Sequence, residues 1–324
     1  MAHEHPAEVD HSHRSHLVMA GMVLLFYALI TVVFAISWAR HDAGLQMQVA
    51  GLGLSVMYIV CVWHCTVVKG GRQAIEFFAL AAVSTFIAEY VGSNYGWIFG
   101  EYDYTGSLGP RLGGVPLLIV VVWGVVLYSS FMLVTWISGT SGRERARTWP
   151  HRIGWSATVA SATGLVAAAW DLMADPMAVS GVWVSLLDLE PWWWWQGGTY
   201  LPQLQVWQGA GGIPVSNFVG WFGVAFAIVF AFTLFLERPD RVTSRIVSAV
   251  PWLIYTYLYY TIAGALLEMN WYDPGIHQAM LIGSFTMGPV ILLGLVRLVG
   301  AGDSSAPRYE PGSVFADDHP STTD

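Results

Sequence analysis

Residues 115–138 read VPLLIVVVWGVVLYSSFMLVTWIS, 24 positions without an Asp, Glu, Lys, Arg or His. A helix that crosses a bilayer needs about 20 mostly apolar residues, because its backbone polar groups must satisfy one another once water is gone. This run meets that condition unaided. Working outward, seven more do so: 17–39, 45–68, 73–92, 153–174, 215–236, 246–268 and 276–299. Leu17 to Trp38 is long enough to be a retained helix, with no cleavage-type signal sequence before it. The reading is an all-α integral membrane protein of about eight spans. One polytopic domain covers 17–300, between a His-rich acidic tail over 1–16 and an acidic tail over 301–324. Both tails are expected to be disordered.

Composition points the same way. The chain is 55% hydrophobic and 11% charged, with mean hydropathy +0.52. Soluble domains carry about 25% charge, so a water-soluble single domain is excluded. A net charge of −8 without a basic block excludes a nucleic-acid binder. Most of that charge is in the tails. Glu4, Glu8 and Asp10 oppose only Arg14, and Asp303, Glu310, Asp317, Asp318 and Asp324 oppose only Arg308. The single lysine, Lys69, lies just beyond a run, so no mid-helix lysine exists for a retinal Schiff base and an opsin is excluded. Cys61 and Cys65 share one apolar run and form no disulfide framework.

The basic residues orient the spans. With both termini in the cytoplasm, twelve of the fourteen Lys and Arg lie inside, and only Arg40 and Arg111 lie outside. The expected location is therefore a cell membrane, crossed many times. The inner loops read as short and bland: Gly70-Gly71, Arg143–Arg147 and Glu237–Arg241. Arg72 and Glu76 are spaced for a helix-surface ion pair there. The outer segments 93–114 and 175–214 are long and rich in Gly, Tyr and Trp. Asp42, Glu89, Glu101, Asp103, Asp171, Asp175, Asp188, Glu190, Glu268 and Asp273 all fall on or near that side. Long loops of defined composition carry function, so the working face is expected to be the outer one.

A repeat is visible. Gly113-Gly114-Val115-Pro116 leads to Trp123, and Gly211-Gly212-Ile213-Pro214 leads to Trp221, with proline and tryptophan seven apart both times. Each opens an inward-running helix, with proline expected in its first turn. The preceding helices end in acid: Glu89 before the first, Asp171 and Asp175 before the second. Helices 3–4, 5–6 and 7–8 then read as three like hairpins, the last carrying Glu268 and Asp273-Pro274.

Glu89, Asp171 and Glu268 lie within apolar runs rather than beyond them. Ionisable groups at such depth are costly and face the bundle interior. A carboxyl out of water favours its neutral form, and a neutral carboxyl donates a proton at neutral pH. Asp171 and Asp175 are four apart and share a helix face, although Pro176 also allows Asp175 to be a plain helix end. Glu101, Asp188 and Glu190 read as solvated loop. Aromatics crowd these acids, and ring faces stabilise a cation. The Trp192–Trp195 run reads mostly as an interfacial belt. His64 beside Cys61 and Cys65 reads as core packing rather than a metal site. Paired haem histidines and di-iron histidine boxes are absent from the sequence, which argues against oxygen-dependent desaturases and hydroxylases.

Several blocks carry a resemblance. Glu89-Tyr90-Val91-Gly92, Phe99-Gly100-Glu101-Tyr102-Asp103-Tyr104, Leu108-Gly109-Pro110 and Gly114-Val115-Pro116 resemble membrane carotenoid-biosynthesis proteins. So do Asp171-Leu172-Met173-Ala174-Asp175-Pro176 and Ile213-Pro214-Val215-Ser216-Asn217-Phe218-Val219-Gly220-Trp221. The match looks like the carotenoid hydratase family, bisanhydrobacterioruberin hydratase among its members. The resemblance implies addition of water to the terminal double bond of an acyclic carotenoid end, giving a tertiary alcohol without an organic cofactor; the histidine pattern separately argues against a metal.

That chemistry needs a proton donor, an aromatic wall for a tertiary cation and a base for water. Asp171 or Glu89 is the expected acid, with Asp175 or Glu268 holding water. Tyr90, Tyr102, Tyr104 and Trp221 are the expected wall, Asn217 positions water or the hydroxyl, and Asp103 joins the substrate-binding set. The expected partners are a carotenoid entering sideways from the lipid bilayer and other carotenoid-biosynthesis enzymes. The main rival is a non-catalytic lipid or isoprenoid carrier or transporter using the same acids. A membrane prenyltransferase is weaker, since it carries two aspartate motifs facing the cytoplasm and here there is one facing out. An intramembrane protease is weaker still.

Overall fold

The computed structural model describes residues 21–33, 35–36, 39–40, 43–139, 148–241 and 245–300. The tails, Asp42 and the Arg143–Arg147 stretch lie outside these residues. Helix α1 covers Gly21–Val33, and seven longer apolar helices follow, each long enough to cross a membrane. They are α2 (Ala43–Val68), α3 (Gly71–Tyr95), α4 (Leu117–Ser138), α5 (Trp149–Ala178), α7 (Val215–Ala231, extended by a π turn to Leu236), α9 (Val250–Met269) and α10 (Pro274–Gly300). Short α6 (Val182–Leu187) and α8 (Arg245–Ser248) lie between them. The protein is an all-α, multi-pass membrane protein.

Helix α5 packs most extensively on α7 and also meets α10 and α4. Small residues let these backbones approach. A Cβ on Gly164 of α5 would lie 2.9 Å from the Phe222 carbonyl oxygen of α7, and one on Gly283 of α10 would lie 2.4 Å from Met173 Sδ. Fully buried Phe77, Trp123, Tyr128, Phe131 and Phe232 fill the centre.

The two long loops are more ordered than their composition alone implies. Strand β1 (Tyr102–Tyr104) pairs antiparallel with β4 (Trp193–Trp195), opposing Tyr102 to Trp195, Asp103 to Trp194 and Tyr104 to Trp193. Strands β2 (Arg111–Leu112) and β3 (Val115–Pro116) form a tight hairpin. Within the Trp192–Trp195 run, Trp193–Trp195 form a strand against β1, with Trp195 only 2% exposed.

The repeat is visible in the backbone of two hairpins. Gly113 and Gly114 take φ of 56° and 89°, and Gly211 and Gly212 take 97° and 74°. Left-handed geometry of this kind suits glycine. Pro116 and Pro214 then share φ −64° and ψ 132°. Both prolines sit at the N-cap, one residue ahead of the first turn where the sequence suggested them. The turn from α9 to α10 differs: Asp273 accepts from Gly275 N at 2.8 Å and Gln205 N at 2.9 Å.

The opposite face is less bland than expected. Lys69 is buried and paired with Glu237 at 2.9 Å and Asp240 at 2.7 Å. Burial works against its charge, but Glu237 and Asp240 outweigh it and hold the ammonium above the ordinary lysine value. Arg72 and Glu76 pair at 2.7 Å, as their spacing predicts. Both ring nitrogens of His64 are engaged, with the Tyr128 hydroxyl and the Val247 carbonyl, each at 2.8 Å.

Candidate active site

Glu89 sits in the last two turns of α3 and is 4% exposed. Its Oε1 accepts from Trp123 Nε1 at 2.6 Å. Its Oε2 accepts from the hydroxyls of Tyr102 at 2.5 Å and Tyr104 at 2.7 Å. Alternation along a strand explains this pair, because Tyr102 and Tyr104 share one face of β1 and Asp103 takes the other. On that face Trp195 lies 5.8 Å from the Tyr102 ring and Trp193 lies 6.1 Å from the Tyr104 ring. Burial first, then the charge of Glu89, pushes both phenols well above the ordinary tyrosine range, so they remain neutral donors. Gly92, one turn beyond Glu89, makes the approach possible: a Cβ there would lie 2.7 Å from Phe99 and 3.1 Å from the Tyr102 hydroxyl.

The second group comes from the other hairpin. Asp171 and Asp175 lie one turn apart on α5, each 1% exposed. Helix α5 runs through Pro176 to Ala178, so Asp175 is inside the helix rather than at its end. Asn217, in the first turn of α7, extends Nδ2 to Asp171 Oδ2 at 2.7 Å and to Asp175 Oδ2 at 2.5 Å. An amide nitrogen carries two hydrogens, so a single Asn217 serves both carboxyls. The Trp193 side chain lies beside Asp175.

Stacked indoles join the halves. Trp123 and Trp221 lie 3.6 Å apart at 12°, with Trp170 tilted 5.5 Å from Trp221. The matching prolines, each seven residues upstream, place these two tryptophans at equivalent points of two helices. The site is thus three buried carboxyls in an aromatic shell, suited to moving a proton beside a cation.

Continuation of α5 past Asp175 depends on Tyr200. Pro176 has no N–H for the Leu172 carbonyl one turn back. The Tyr200 hydroxyl supplies that bond at 2.8 Å. Tyr200→Phe is expected to leave the carbonyl unpaired and cost about 1–3 kcal/mol. A lowered thermal unfolding midpoint in detergent would show this.

The structure does not bring every expected residue here. Tyr90 is 37% exposed and lies against Phe86 and Tyr95, a helix position round from Glu89. Asp103 is exposed on the far face of β1. Glu268 is exposed on α9 and borders an apolar cavity instead of joining the carboxyls. Glu101, Asp188 and Glu190 are exposed, in keeping with solvated loop. Among the described residues, no three His, Cys, Asp or Glu side chains gather as a metal-holding group. The sequence reading missed the roles of Trp123 and Trp193. Spacing from proline singled out Trp123, while Trp193 was hidden in a run of four.

No solved structure matches the chain. It is similar to a bisanhydrobacterioruberin hydratase of Haloarcula japonica, 29% identical over 169 residues. That alignment covers 52% of this chain and 47% of the relative, so it spans about half the relative's length. The family model for carotenoid biosynthesis proteins matches residues 46–287, a span that holds Glu89, Trp123, Asp171, Asp175, Asn217 and Trp221. On that match, taking in both Gly-Gly-Pro hairpins and the carboxyls they bring together, the chain belongs to the carotenoid biosynthesis protein family.

Proposed function

We propose that the protein is a carotenoid hydratase that adds water to the terminal double bond of an acyclic carotenoid end. The observation that carries the reading is the Asn217 amide shared by the buried carboxyls of Asp171 and Asp175. One carboxyl of the pair gives its proton to the less substituted alkene carbon, and the π electrons form the new C–H bond. The tertiary cation left behind is captured by water. The proton that water then sheds passes to the partner carboxylate, so the pair ends with the proton count it began with. The net change is one water added.

Each neighbouring group has a part. The faces of Trp123, Trp170 and Trp221 stabilise the cation. Glu89 accepts three hydrogen bonds, so it anchors Tyr102, Tyr104 and Trp123 and places negative charge near the cation. This division of labour narrows the sequence reading, with Asp171 and Asp175 as the acid–base pair and Glu89 as anchor. Asn217 holds the pair at one spacing. Burial keeps bulk water away, which limits capture to one positioned molecule. With both termini cytoplasmic the reaction lies on the outer face, and no organic cofactor takes part. The similarity to a named hydratase supports the reading.

Expression in a host that accumulates acyclic carotenoids tests it. Tertiary hydroxyls, seen as a gain of one water per modified end by mass spectrometry, are the expected result. Chemically unchanged pigment at good expression overturns the reading in favour of a carrier.

A further inference from the structure

Between α1, α2, α4, α5 and α9 lies a cavity of about 820 Å³. That is within the roughly 300–1,000 Å³ of small-molecule sites. Aliphatic side chains form most of its wall, and the indoles of Trp170, Trp183, Trp192 and Trp193 line it as well. Helix α5 gives it the stripe Trp170, Ala174 and Met177. Asp171 and Asp175 form the next stripe on the same two turns, so cavity and carboxyl pair adjoin through one helix. Trp193 borders both, lining the cavity and lying beside Asp175. The exposed lining residues Tyr260, Gly264, Leu267 and Glu268 form one stripe of α9, which makes that stripe the mouth.

We propose, building on the hydratase reading, that this cavity seats the hydrocarbon chain of the carotenoid. The terminal double bond rests against Trp170 and Trp193, and the rest of the chain leaves past the α9 stripe into the bilayer. Flat rigid indoles match a flat rigid polyene. Only Glu268 among the lining residues carries a formal charge, which suits a substrate without polar groups along its length.

Two glycines allow a clean test. A Cβ on Gly264 meets nothing within 4 Å, and one on Gly53 meets only Ile30 Cγ2 at 3.7 Å. Gly264→Trp and Gly53→Leu therefore fill the cavity without straining the backbone. Gly223→Trp on α7, also in open space and away from the cavity, is the control of equal size. Each variant is expressed in the carotenoid-producing host and purified in detergent. The ratio of hydrated to precursor pigment and the carotenoid carried through purification are both measured. Both readouts are expected to fall about tenfold or more in Gly264→Trp and Gly53→Leu, with Gly223→Trp at the wild-type level. Wild-type hydration in both cavity variants would overturn the proposal and assign the cavity to lipid, while the hydratase reading stands. Unhydrated pigment in the wild type, with carotenoid still lost from both variants, would keep the cavity as the carotenoid seat and sink the hydratase reading instead.

Discussion

Asp171→Asn and Asp175→Asn each lower conversion of precursor to tertiary alcohol by on the order of 10²–10⁴, with the protein still inserted and folded. Asparagine keeps the shape of the side chain and removes the carboxyl proposed to pass the proton. A group used only in the transition state costs turnover rather than binding, so carotenoid carried through purification should stay near the wild-type amount. Glu89→Gln is also expected to be poorly active, for a different reason. Its new NH₂ faces Trp123 or the two tyrosines, all of them donors to the present carboxylate. Asp188→Asn and Glu190→Gln, in exposed loop, and Glu76→Gln, paired with Arg72 on the opposite face, should be nearly silent. Full activity in both Asp171→Asn and Asp175→Asn, or a dead Glu76→Gln, defeats the mechanism.

Lys69→Met is expected to unfold the protein more readily by about 3–5 kcal/mol, because it strips a buried carboxylate of its cation. Lys69 and Glu237 are almost wholly buried at their side chains, and Asp240 completes the cluster. The double variant Lys69→Met with Glu237→Gln should recover much of the loss, since the charge left uncompensated is gone. Sign and pH window follow from the raised lysine value. The contribution is fully present below the ordinary value of 10.5 and fades as pH rises through the higher folded one. Thermal unfolding in detergent at several pH values measures both. An unchanged midpoint for Lys69→Met would show that the cluster contributes nothing net.

Sequence and structure agree best where one physical rule acts alone. The seven long apolar helices were legible because lipid demands length and apolarity of each helix separately. Glu89 and Asp171 were legible because charge inside an apolar run is rarely idle, and Asp175 because it follows Asp171 by four on one helix face; the same rule also singled out Glu268, which the structure leaves exposed. The matching prolines were legible because backbone geometry repeated. Contacts between distant segments were not. Asn217 joined the candidates by resemblance, but nothing in its spacing says that one nitrogen serves two aspartates 46 and 42 residues away. Tyr90 looked equivalent to Tyr102 until helix phase turned it outward. Asp103 was lost to strand alternation, which needed β1 to be recognised within a loop. Lys69 looked like an ordinary inner-face cation because its partners lie 168 and 171 residues on.

The β1–β4 ladder also sets the order of biogenesis. Tyr102 leaves the ribosome long before Trp195, its partner across the ladder. Between them the whole of α4 and α5 must be synthesised and threaded into the bilayer. Until β4 has crossed, the Tyr102–Tyr104 segment lacks its partner strand, and Asp175 lacks both Trp193 and Asn217. A nascent chain that pauses after α4 therefore carries Glu89 and its three donors but no acid pair. Assembly of the proposed site is a late event that coincides with delivery of the second loop, so a stalled or truncated chain is expected to be inert rather than half-active.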